Sequence, residues 1–82
     1  MKCLHFFAEW CQPCKAMAGV YHKFWLLHSD IDFVEVDTDT NVDYCIEYNI
    51  KSVPTFIILN DDGSIHSSHV GSATLEQLQR LV

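Results

Sequence analysis

The apolar run Leu4-His5-Phe6-Phe7-Ala8 passes through Glu9 directly into Trp10-Cys11-Gln12-Pro13-Cys14-Lys15. The run has the length of a buried strand. Pro13 is tolerated in a helix only in the first turn, where the N–H it lacks would have no intrahelical partner. A strand that turns at once into a helix therefore accounts for both segments. The second cysteine falls one turn after the first, which puts the two sulfurs within disulfide reach. Unpaired backbone N–H groups and the helix dipole at that point also favour a thiolate.

The remaining elements follow from periodicity. Met17, Val20, Tyr21, Phe24 and Leu27 or His28 recur at helical spacing, which predicts one helix from Cys11 to about His28. Residues 32–37 alternate as a strand does. Thr40 is expected to cap a short helix with an inner stripe of Val42, Cys45 and Ile46, closed by a left-handed Asn49. Residues 55–59 form a continuous apolar strand, and Asp61-Asp62-Gly63 is a hairpin turn leading to residues 65–70. Thr74 and Gln77 have capping-box spacing ahead of a last helix carrying Leu75, Leu78 and Leu81 or Val82. The order β-α-β-α-β-β-α describes one α/β domain over residues 1–82. A right-handed βαβ unit followed by a hairpin gives a four-stranded mixed sheet.

Composition narrows the function classes. Apolar residues make up 49% of the 82, with two Trp and five Phe, enough for a packed core near the lower size limit of a domain. A formal charge of −6 argues against a nucleic-acid binder, which would show a basic face. No segment reaches the roughly twenty apolar residues that cross a bilayer. With no leader ahead of the first strand, the four cysteines read as reduced thiols plus a catalytic pair, and a cytoplasmic location is expected. A structural zinc would need four ligands. Cys3 and Cys45 are isolated, His66 and His69 point to opposite faces of a strand, and His22 and His28 diverge on a helix. Redox chemistry is favoured over a metal site, and no metal is expected.

The segment Trp10–Lys15, together with Val53-Pro54-Thr55 some forty residues on, resembles thioredoxin, whose signatures are Trp-Cys-Gly-Pro-Cys-Lys and Ile/Val-Pro-Thr. The resemblance runs over essentially the whole chain, without the family's first strand and helix. It implies a minimal thioredoxin fold of strand order 2-1-3-4 with three helices. The first and third lie on one face, and the short second one thinly covers the other. It also implies a protein dithiol–disulfide oxidoreductase without a bound cofactor. Cys11 at the helix start would be the exposed nucleophile and Cys14 the buried resolving thiol. Pro54 would be a cis-proline facing the sulfurs, with the backbone of Val53 open to an extended substrate. Trp10, Val53 and Gly71 would form the rim, with Gln12, Pro13 and Thr55 completing the substrate surface. Expected partners are disulfide-containing proteins and a thioredoxin reductase or equivalent donor, with the chain a monomer that binds neither nucleic acid nor membrane. A glutaredoxin-like enzyme would more usually carry Cys-Pro-Tyr-Cys without Trp10, and a non-catalytic binding subunit would need neither cysteine.

Four positions depart from the family pattern. His5 stands where the family carries a buried aspartate beneath the resolving cysteine. Burial should keep this imidazole neutral, either as a proton acceptor for Cys14 or as core filling with one satisfied hydrogen bond. Phe33 is expected where many members have a lysine paired with that aspartate. Gln12 replaces a glycine, and Gly19 replaces a helix-kinking proline, so that the long helix should bend less or fray there. Cys3 and Cys45 read as buried core residues.

Overall fold

A computed structural model describes residues 1–82. Strand β1 (Lys2–Phe7) turns into α1 (Gln12–Ala16) and α2 (Ala18–Leu27). There follow β2 (Asp32–Asp37), α3 (Val42–Glu47), β3 (Thr55–Leu59), β4 (Ile65–Val70) and α4 (Leu75–Gln79). The sheet order is β2-β1-β3-β4, as expected, with β2 parallel to β1 and the β1–β3 and β3–β4 pairs antiparallel. Parallel pairing of β1 with β2 requires a crossover, which α1 and α2 supply. The hairpin turn places Gly63 at φ +88°, a conformation that glycine adopts at no steric cost.

Side-chain alternation along β1 divides the core in two. Cys3 joins Met17, Tyr21, Phe24, Ile31, Phe56, Ile58 and Leu78 beneath α2 and α4. Leu4 and Phe6 join Val36, Ile57 and Leu59 on the opposite face. Every residue of β3 is buried because both of its faces are covered. Each large apolar side chain removed from water contributes roughly 1.5–3 kcal/mol toward offsetting chain entropy. The capping box forms as expected, with Gln77 N–H donating to Thr74 Oγ1 at 3.1 Å and Thr74 N–H to Gln77 Oε1 at 2.8 Å.

Two expectations need correction. The first helix is not one rod, because its backbone departs from helical geometry at Met17 (φ −100°, ψ 11°). Met17 turns its side chain into the main core, and Gly19 just beyond it has little helix propensity to resist the break. The second concerns α3. Asn41, not Thr40, precedes it, and no side chain caps it. Val42 and Ile46 are exposed, and of the expected stripe only Cys45 packs inward, half-buried. The face it was expected to cover is closed mostly by the chain beyond it. Asn49 adopts φ +54°, and Ile50 N–H donates to Cys45 O at 2.9 Å, a Schellman closure that reverses the chain. Tyr48 and Ile50 then pack onto Leu4 and Phe6, with Cys45 and Val53 beside them.

Candidate active site

Where β1 ends, Cys11 N–H donates to Ala8 O at 3.1 Å and tightens the turn into α1. Cys11 is the N-cap of α1, in extended conformation (φ −82°, ψ 106°). Its sulfur takes the part that a serine or aspartate oxygen usually plays, accepting the Cys14 N–H at 3.2 Å. Cys11 and Cys14 are disulfide-bonded, with Cα atoms 5.3 Å apart. Once reduced, a Cys11 thiolate would keep that donor, which favours the charged form. The expectation of an exposed Cys11 beside a buried Cys14 does not hold for this oxidised state. They are 3% and 8% exposed, because each sulfur covers the other and Phe7 and Val53 pack against the pair.

The residues expected to form the rim lie on three separate segments. The Val53–Pro54 peptide bond is cis. Pro54 O accepts the Gly71 N–H at 2.8 Å, which ties the end of β4 to the proline loop. Gly71 has φ +96°, a backbone that a side chain would strain. Thr55 is buried and donates its hydroxyl to Ser52 O at 2.7 Å. Gln12 and Pro13 are exposed at the tip of α1. Trp10 is 66% exposed, and its indole N–H donates to the Asp39 carboxylate at 3.1 Å. Asp39 is in turn held by its own N–H, which donates to the Asp37 carboxylate at 2.9 Å. Sequence reasoning missed Asp39. Its only signal was a place just beyond the end of β2, the strand paired with β1.

His5 lies on the β1 face beneath α1 and α2, only 7% exposed. Its ring stacks on Phe56 with centroids 4.6 Å apart and meets Tyr21 at 4.2 Å. Burial pulls the imidazole down to about 4, so it is neutral at pH 7. The single satisfied hydrogen bond expected of a core-filling histidine is absent, since neither ring nitrogen has a partner. With Cys14 it lines an open groove of about 860 Å³. The lysine-equivalent position also needs correction. Phe33 lies opposite Cys3 in the β1–β2 register, and Glu35 lies opposite His5. The neighbour of the imidazole on β2 is thus an acid, not an aromatic ring. Outside the site, Cys3 is fully buried and its thiol is pushed up to about 12. Cys45 is half-buried, with its Sγ 3.9 Å from Thr38 O.

The thioredoxin family model matches residues 2–82. The chain belongs to the thioredoxin family. It is 36% identical to thioredoxin of Bacillus subtilis, over 94% of this chain and 74% of that one. Against thioredoxin-1 of Caenorhabditis elegans it is 41% identical over 78% of its own residues, and it spans little more than half (56%) of that relative. Thioredoxin NaTrxh from Nicotiana alata superposes with a TM-score of 0.89 at 32% identity, covering 96% of this chain and 67% of that one. Oxidised mitochondrial thioredoxin 3 of Saccharomyces cerevisiae gives 0.86 at 29% identity, over 96% and 73%. No helix is long and apolar enough to cross a membrane.

Proposed function

We propose that this thioredoxin-family chain reduces disulfides in other proteins. The observation that carries the reading is the Cys11–Cys14 pair at the strand–helix junction, with a backbone N–H aimed at the Cys11 sulfur. In the reduced state the Cys11 thiolate attacks one sulfur of a substrate disulfide. A Cys11–substrate bond forms, the substrate's own S–S bond breaks, and one substrate sulfur leaves as a thiolate. Cys14 then gives up its proton and attacks Cys11. The intramolecular disulfide forms, the Cys11–substrate bond breaks, and the second substrate sulfur is released. The pair is oxidised by two electrons and the substrate is reduced by two.

In this reading His5 receives the Cys14 proton, directly or through one water. Its neutral imidazole and its place on the Cys14 groove support that role. Trp10, Gln12, Pro13, Val53, Pro54, Thr55 and Gly71 form the surface that meets the substrate, with the Val53 backbone pairing with an extended segment. Electrons come from a thioredoxin reductase or an equivalent dithiol donor. The protein works as a cytoplasmic monomer, without bound cofactor, nucleic acid or membrane. The test is reduction of insulin by dithiothreitol with catalytic amounts of protein. Acceleration that disappears in Cys11→Ser supports the reading, and no acceleration by the folded, reduced protein overturns it.

A further inference from the structure

His5 poses a problem that the reading above leaves open. Both of its nitrogens are buried without a partner, yet accepting a proton from Cys14 would create a cation there. A buried imidazolium with no counter-charge is costly, and a carboxylate within a few ångströms would offset much of that cost. The β1–β2 register sets Glu35 directly opposite His5. Side chains at paired positions of parallel strands share a face, and His5, Glu35 and Cys14 all line the same groove. Tyr21 adjoins the same groove: its ring meets the imidazole at 4.2 Å, and its phenol is pushed up by burial first, then by the nearby Cys3 and Glu35. Glu35 itself is exposed at the mouth of the groove.

We propose that Glu35 is a positioning residue for the resolving step, acting through His5. As Cys14 attacks Cys11, its proton moves to the imidazole, and the Glu35 carboxylate stabilises the cation. The proton then leaves along the groove to solvent, and His5 returns to its neutral form. The inference rests on His5 being the proton acceptor. The other titratable groups on this side of the sheet are Cys3 on the same strand and, lining the groove with His5, Cys14 and Lys15 from α1, Tyr21 and His22 from α2, and Glu9 beyond the end of β1. From β3 it meets Phe56, which does not titrate. Lys15 and a protonated His22 would oppose a cation at His5. Glu9 is the only other carboxylate on the groove and has no place in the register.

The experiment follows both release steps when the reduced protein reacts with an aryl disulfide whose thiolate product is coloured. The first release reports attack by Cys11, and the second reports resolution by Cys14. In parallel, His5 is titrated by NMR in the parent protein, Glu35→Gln, Glu35→Asp and Glu9→Gln. Glu35→Gln should lower the His5 midpoint by about half a pH unit, a threefold change in imidazolium population. It should also slow the second release about threefold at pH 7, without slowing the first. Glu35→Asp should restore part of both effects, and Glu9→Gln should match the parent. A Glu35→Gln protein with unchanged midpoint and second release overturns the inference, as does Glu9→Gln producing the same shifts. His5→Ala separates the two levels. If it slows the second release while Glu35→Gln does not, only the part assigned to Glu35 fails. If His5→Ala leaves the second release unchanged, the proton-acceptor reading fails and the inference with it.

Discussion

Cys3 lies near the start of β1 and Cys11 beyond its end at the cap of α1, both removed from water, yet they are suited to opposite chemistry. Cys3 lies among Tyr21, Phe24, Phe56 and Ile58 with nothing to stabilise a negative charge, and its thiol is pushed up to about 12. Cys11 is just as covered in the disulfide, but it caps a helix and has the Cys14 N–H directed at its sulfur. Burial is common to both. A backbone donor at the sulfur is what separates a reactive cysteine from an inert one.

The sharpest way to break this comparison is to exchange which thiol is lost. Cys11→Ser should reduce insulin turnover to the uncatalysed background, whereas Cys3→Ala should keep most of it. A folded Cys3→Ala protein without activity would show that the strand interior takes part in the reaction. Next in size is alkylation. Reduced protein treated with iodoacetamide near neutral pH should be labelled first at Cys11 and last at Cys3. The rise of the Cys3 thiol from 9.0 to about 12 cuts its thiolate fraction roughly a thousandfold, before any limit from access. Mass spectrometry of peptides from timed samples gives the order.

His5 extends the comparison to a base. Its folded value of about 4 lies below the 6.5 of an unfolded chain, so the unfolded state binds more protons between those values. Stability should therefore be fully present above about pH 6.5 and be lost as pH falls toward 4. The loss is on the order of 3 kcal/mol from this residue alone. Denaturant titrations at several pH values check this, and His5→Leu should flatten that part of the profile. An unchanged profile would mean that the imidazole is not held neutral by its surroundings. The smallest effect concerns the rim. Asp39→Ala removes the acceptor of the Trp10 indole and should cost no more than about 1 kcal/mol, because both groups remain exposed to water. A change in Trp10 emission, resolved from that of Trp25 by a Trp25→Phe background, would show that Asp39 holds the indole.

Much of the architecture was legible in the residues because its causes are local. Gly63 makes the hairpin turn, Thr74 and Gln77 cap the last helix, and Asn49 closes α3 in the left-handed region, each within a few residues of the feature it decides. That the first helix would break at Met17 rather than fray at Gly19 was not legible. Helical spacing continues through it, and only the demand of the main core on the Met17 side chain decides where the backbone gives way. The stripe assigned to α3 held only at Cys45, for a related reason. A helix of six residues offers too few positions for periodicity to show which face is inward, and the reversal at Asn49 gave that task to Tyr48 and Ile50.

The sequence by itself determined the strand–helix junction, the cysteine pair at its helix start and the order of elements, all consequences of residues near one another along the chain. Tertiary structure alone decided that Glu35 rather than Phe33 faces His5, that Asp39 receives the Trp10 indole, and that Gly71 closes on Pro54. Each of these depends on the register between strands. A slip of one residue turns a side chain to the opposite face of the sheet, and the register is set by how two cores fill at once rather than by any short stretch of sequence.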